Sequence, residues 1–231
     1  TISRHSFDFD KDGFGEFCAY DMASGQNLGF IFEAKADDDY QLMEVIPMGG
    51  GALAVTDWNL NGLNELTIID EGLLIFESTG VDNEIPYDPN VIWEDIPKTG
   101  IFGGTSQGAP AVFDADGDGE LEIVCNYAKN AYHIPMYGGY YISIFSFNGD
   151  FENPGGKIEF TDEFDTECCG FDWGDIDNDG HIDIVTAVNQ NPHLRVFTSV
   201  GKDSFELKWE WKKPETVLLE MSETYTPMVV D

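Results

Sequence analysis

The sequence predicts an all-β chain, a β-propeller of four-stranded antiparallel blades, on three observations. One acidic loop is written four times, strand-like segments in the same order surround each copy, and helical periodicity is missing. The loops are Asp8-Phe-Asp-Lys-Asp-Gly-Phe-Gly-Glu16, Asp57-Trp-Asn-Leu-Asn-Gly-Leu-Asn-Glu65, Asp114-Ala-Asp-Gly-Asp-Gly-Glu-Leu-Glu122 and Asp175-Ile-Asp-Asn-Asp-Gly-His-Ile-Asp183. They recur about every 55 residues. The chain therefore reads as one domain, 1–231, of repeats at about 1–48, 49–104, 105–167 and 168–224, with 225–231 starting a fifth unit or supplying a closing strand.

Each loop is a calcium loop by its chemistry. Calcium takes six to eight oxygens in a flexible shell, and alternating Asp and Asn side chains bring several oxygens to one point. Positions 1, 3, 5 and 9 are the expected side-chain ligands: Asp8, Asp10, Asp12 and Glu16; Asp57, Asn59, Asn61 and Glu65; Asp114, Asp116, Asp118 and Glu122; Asp175, Asp177, Asp179 and Asp183. Glycine at position 6 permits positive φ, so that the carbonyl of position 7 (Phe14, Leu63, Glu120, His181) can serve as a further ligand whatever its side chain. An EF-hand would carry its last acid at position 12 between two helices, whereas here it stands at position 9 before a strand. Metal-free Asp/Asn/Gly turns are the plain alternative, against which stands the repulsion of four carboxylates within nine residues. The sequence thus predicts three strong sites and a weaker one at Asp57, where two amides replace carboxylates.

The strands follow in a fixed order. One enters the loop at Ala52–Thr56, Ala109–Phe113 and Phe171–Gly174. A second leaves it at Glu65–Asp70, Glu122–Cys125 and Asp183–Val188, rich in β-branched residues. A third follows at Leu73–Phe76, Tyr141–Phe145 and Leu194–Phe197, and a fourth at Val91–Trp93, Lys157–Phe160 and Phe205–Trp211. Four short strands joined by Gly/Asn/Asp turns describe a propeller blade, whereas a sandwich or solenoid leaves the recurring metal loop without a reason. Glu215–Met221 is the one candidate helical turn, and Thr224–Asp231 reads as another entering strand.

Composition narrows the partners. With 44 acids against 11 Lys and Arg the net charge is −33, which disfavours nucleic acid and anionic membranes, both of which need basic patches. No apolar run reaches membrane-spanning length and the sequence does not open on a basic region followed by an apolar stretch, so the chain is expected to be a processed form or an excised segment. Cys18, Cys125 and the adjacent Cys168 and Cys169 suit either two disulfides in an oxidising compartment or buried thiols; a closed ring of four blades would bring the last pair near the other two.

Phe102-Gly-Gly-Thr-Ser-Gln-Gly-Ala-Pro110, running into the Asp114 loop, resembles the FG-GAP/VCBS repeat of integrin α-chain propellers and many secreted proteins. Gly50-Gly-Ala52 is a partial match. The resemblance implies Ca²⁺ in the four loops, between the first and second strands of each blade, and an extracellular or cell-surface location. Family propellers usually carry more blades than four. Three readings therefore stand open: blades beyond this segment, closure on four, or a loose terminal strand pairing with another copy.

No catalytic constellation stands out: His5, His133, His181 and His193 are scattered, and no nucleophile elbow or phosphate loop occurs. The expected function is a non-catalytic extracellular structural or adhesion module, self-assembling into a fibre or coat, with protein or glycan ligands as partners. The alternatives are a carbohydrate-binding propeller, in which Tyr132, Tyr137 and Tyr140 of the segment 126–141 stack on sugars, and the propeller of a polysaccharide lyase.

Overall fold

The computed structural model describes residues 7–21, 28–47, 52–69, 73–86, 91–93, 110–128, 140–152, 155–164, 168–188, 194–212 and 229. These form fifteen strands and, among the described residues, no helix. Sheet 1 comprises β1 (Glu16–Asp21), β2 (Leu28–Ala36) and β3 (Asp39–Pro47); sheet 2 comprises β4 (Ala52–Thr56), β5 (Glu65–Ile69), β6 (Leu73–Glu77) and β7 (Val91–Trp93). Sheet 3 comprises β8 (Ala111–Phe113), β9 (Glu122–Ala128), β10 (Tyr140–Phe147) and β11 (Gly156–Phe164). Sheet 4 comprises β12 (Cys168–Gly174), β13 (Asp183–Val188), β14 (Leu194–Gly201) and β15 (Ser204–Trp211). Every sheet is an antiparallel meander in chain order, as short connections favour.

The closing acid of each loop is the first residue of a strand: Glu16, Glu65, Glu122 and Asp183 open β1, β5, β9 and β13. Sheet 1 has three strands; where a fourth is expected, Phe7 makes a single bridge to Glu16. The expected helical turn at 215–221, the residues 102–109, and the terminal segment apart from Val229 lie outside the described residues.

The chain falls into two compact units, 1–104 with 149–155, and 105–148 with 156–231. In the first, sheets 1 and 2 share a core of Phe9, Cys18, Ile31, Ile46, Leu66, Ile68 and Phe76. In the second, sheets 3 and 4 share one built on Val124, Ile142, Ile144, Phe171, Ile184 and Phe197. The alternation of β2, whose Ile31 and Glu33 are buried between half-buried neighbours, is the period-2 signature of a strand with one face inward.

Register places one residue of the third strand opposite each closing acid: Glu33 faces Glu16, Glu77 faces Glu65, Ser146 faces Glu122 and Thr198 faces Asp183. One step before that residue, sheets 1, 3 and 4 carry a β-bulge in the fourth-strand position. The extra residues are Met43, Glu159 and Lys208. Bulges commonly re-aim a side chain.

Candidate metal centres

The four loops close by the same hydrogen bonds. The glycine N–H at position 6 donates to the carboxylate of position 1 in every copy, Gly13 to Asp8 at 3.2 Å, Gly62 to Asp57 at 2.9 Å, Gly119 to Asp114 at 3.0 Å and Gly180 to Asp175 at 3.0 Å. Position 7 donates its N–H to position 5, at 2.7 to 2.9 Å in all four. The glycines hold φ between 89° and 93°, the conformation expected of them. Position 4 is also left-handed, with φ 63° at Lys11, 57° at Leu60, 80° at Gly117 and 60° at Asn178. That second turn carries no sequence signal at Lys11 and Leu60, since neither residue favours such a backbone.

Position 9 is tied to position 2. Glu16 Oε2 accepts the Phe9 N–H at 2.6 Å, Glu122 Oε2 that of Ala115 at 2.7 Å and Asp183 Oδ2 that of Ile176 at 3.3 Å, while Glu65 Oε2 accepts from Trp58. Phe9, Trp58 and Ala115 are buried, so position 2 anchors the loop in the core, while Ile176 leaves the fourth loop exposed.

In the first two loops these bonds use one oxygen of each end acid and leave the other, whereas Asp114 and Asp175 each accept a second loop N–H on the remaining oxygen, from Gly117 at 2.7 Å and Asp179 at 3.0 Å. Asp8 Oδ1 and Glu16 Oε1, and likewise Asp57 Oδ1 and Glu65 Oε1, are buried without a hydrogen-bond partner. Buried polar atoms are nearly always paired, and carboxylate oxygens held free are the donors a hard cation needs. Oxygens of Asp8, Asp10, Asp12 and Glu16 lie within 4.8 Å of one another, as do those of Asp114, Asp116 and Glu122 and those of Asp175, Asp177 and Asp179. The donor set therefore fits a divalent cation that prefers oxygen. Position 7 contributes no side chain to these groups, and Phe14, Glu120 and His181 are exposed.

Burial pushes Glu16 up to about 7 from an ordinary 4.5, against the Phe9 N–H and helped by the carboxylates of Asp10, Asp8 and Glu33. Burial likewise carries Glu65 and Glu122 up to about 8, with Glu77 adding at Glu65 and Glu159 at Glu122. Without a cation these closing acids hold protons near neutral pH.

The Asp57 loop is less poor in acid than its sequence suggests. Glu77 Oε2 accepts from Asn59 Nδ2 at 2.9 Å and Asn61 Nδ2 at 2.7 Å, bringing a third carboxylate beside Asp57 and Glu65. Asn59 Oδ1 and Asn61 Oδ1 accept loop N–H groups at 3.0 and 2.8 Å. Glu77 carries no local signal in the sequence, because it reaches the loop through the β5–β6 register that sets it opposite Glu65. Lysines temper other loops. Lys202 bonds Asp118 and holds its carboxyl below the usual range, and Lys208 Nζ meets Asp177 at 2.8 Å, Asp179 at 3.1 Å and Asp183 at 3.3 Å.

No model of a known protein family, no curated protein and no solved structure matches the chain.

Other expected residues are placed as follows. Tyr140 opens β10 and packs half-buried against the core of its unit, while Tyr132 and Tyr137 lie outside the described residues. Cys18 and Cys125 are buried in β1 and β9, and burial pushes the Cys125 thiol up, away from reactivity. The side chains of Cys168 and Cys169 lie outside the described residues.

Proposed function

We propose that the chain is a calcium-binding β-propeller of the FG-GAP/VCBS type, or part of one, in which each meander is a blade and each acidic loop a structural Ca²⁺ site. It works outside the cell as a non-catalytic structural or adhesion module. The observation that carries this reading is the pair of orphaned oxygens in the first two loops, Asp8 Oδ1 with Glu16 Oε1 and Asp57 Oδ1 with Glu65 Oε1. Held between the start of a loop and the strand that leaves it, a Ca²⁺ ion would clamp the two and offset the burial of both carboxylates. Its ligands in the first loop would be Asp8, Asp10, Asp12 and Glu16, and the ion would supply charge and rigidity, not chemistry. A ligand that binds only the folded state stabilises by mass action, about 2.7 kcal/mol per site at a hundredfold excess over Kd. Calorimetric melting in Ca²⁺ and in EDTA tests this: a large drop with EDTA is expected, and an unchanged Tm removes the metal assignment. Sedimentation at several protein concentrations, with and without chelator, separates a self-assembling brick from a monomeric binder.

A second reading, a carbohydrate-binding propeller, is favoured by β15, on which Trp209 and Trp211 stand two residues apart, 50% and 39% exposed. Exposed indole faces suit stacking on sugar rings. Glycan binding lost in Trp209→Ala supports it; a glycan array with no signal for the unaltered chain discards it.

A further inference from the structure

We propose that sheet 3 holds a second divalent-cation site, formed by Asp116, Glu159 and Asp203, beside the site of the Asp114 loop. This rests on the reading that the loops bind Ca²⁺. Oxygens of the three residues lie within 4.8 Å of one another. A cluster of acids alone is common on an acidic surface, and the independent observation is Glu159. Its side chain is 1% exposed, and neither carboxylate oxygen makes a hydrogen bond of good geometry, although the Ser146 hydroxyl and the Asp203 carboxylate are its polar neighbours. Lys157 Nζ stands 3.8 Å from Glu159 Oε1, beyond hydrogen-bond length, and is bonded instead to Asp203. A buried carboxylate left in this condition is costly unless something outside the chain completes it.

The backbone puts Glu159 there. Ile144 pairs with Phe160 and Phe145 with Ile158, so Glu159 is the extra residue of the bulge in β11. Sheet 4 has the same bulge with Lys208, whose ammonium reaches the acids of its own loop. At one structural position sheet 4 supplies a cation and sheet 3 an anion, and the Lys157 ammonium beside that anion stands 3.8 Å away, bonded to Asp203.

Asp116 joins the two sites. Its Oδ1 accepts the Asp118 N–H at 3.0 Å inside the loop, and its Oδ2 faces the other way to accept the backbone N–H of Asp203 in the β14–β15 turn. One oxygen is thus engaged within the loop and the other with the Asp203 backbone, and Asp116 belongs to both groups of acids, so it would be shared by the two sites. Three carboxylates without nitrogen or sulfur select a hard cation, Ca²⁺ or Mg²⁺. Lys157, with a side chain 53% exposed, is the internal competitor and can swing into solvent when the ion binds.

The test is a count of bound Ca²⁺ by native mass spectrometry, with affinities by titration calorimetry, on the whole chain. Glu159→Gln is expected to take one ion fewer than the unaltered protein, Asp114→Asn to lose a different one, and the double variant to lose two. Lys157→Met, an exposed change that leaves the core untouched, is expected to keep every ion and bind the weakest one about fivefold more tightly, as removal of one nearby charge implies. If Glu159→Gln and Lys157→Met both match the unaltered protein, the second site is overturned while the loop sites stand. A double variant that loses only one ion places Glu159 in the loop site and also overturns it. A chain that takes up no Ca²⁺ at all overturns both readings. Should Glu159→Gln not fold, Lys157→Met decides alone.

Discussion

Asp203 donates its backbone N–H to the Asp116 carboxylate, so a turn of sheet 4 is hydrogen-bonded to the acidic loop of sheet 3. Sheets 1 and 2 repeat the arrangement, with Asn83 donating to Asp10. Both donors hold left-handed backbone, φ 56° and 66°. Loop position 3, Asp10 in one unit and Asp116 in the other, is thereby the docking point of the neighbouring sheet within each unit.

Loss of the cation should therefore loosen the docked turns as well as the loops. In hydrogen exchange, the amides of Asn83 and Asp203 are expected to lose protection in EDTA along with Gly13 and Gly119, which bond Asp8 and Asp114. Unchanged exchange at Asn83 and Asp203 would show the turns to be independent of the metal.

Leu60 sits at a left-handed position, φ 57°, with a side chain 78% exposed. Asn178 occupies the matching place in the fourth loop. Leu60→Asn relieves the backbone without removing a core contact and is expected to stabilise by about 1 kcal/mol. Denaturant melts at fixed Ca²⁺ measure it; a destabilised variant refutes the strain argument.

The closing acids give a pH dependence with a definite sign. Burial raises Glu16 to about 7 and Glu65 and Glu122 to about 8, above an ordinary 4.5. Between about 4.5 and 8 the folded, metal-free chain holds more protons than the unfolded one, so its stability falls as pH rises through that window. Bound Ca²⁺ requires these acids ionised and releases their protons. The stabilisation by Ca²⁺ is expected to grow from pH 5 to pH 8, with proton release on calorimetric titration at pH 7; a flat profile contradicts the buried-acid account.

Lys208 competes for the fourth loop. Lys208 holds its ammonium about 3 Å from three carboxylates of the loop, so Lys208→Met should tighten that site. Terbium luminescence, excited through the tryptophans, follows it; weaker binding would place Lys208 in a supporting role.

Much of this was legible because the loop grammar is local. Position 6 glycine, the closing acid and the strand that begins on it all follow from turn chemistry and period-2 patterning, and Val91–Trp93 falls where β7 lies. The rest depends on register. Glu77 reaches the second loop because it pairs across from Glu65, and Glu159 joins Asp116 and Asp203 beside the third because it is the extra residue of a bulge. Neither pairing has a local mark in the chain, since each follows from strand register alone. The left-handed Leu60 was hidden for the opposite reason, since a loop fixed by its hydrogen bonds overrides the preference of one residue.

In sheets 1, 3 and 4 the bulge carries Met43, Glu159 and Lys208, so the charge beside each of those loops depends on a residue in another strand. A single substitution there exchanges an ammonium for a carboxylate beside the loop, with the loop and the pairing left intact. Cation dependence in such a repeat protein can thus drift sheet by sheet, as a set of separately adjustable thresholds, while the strands that bury the core stay as they are.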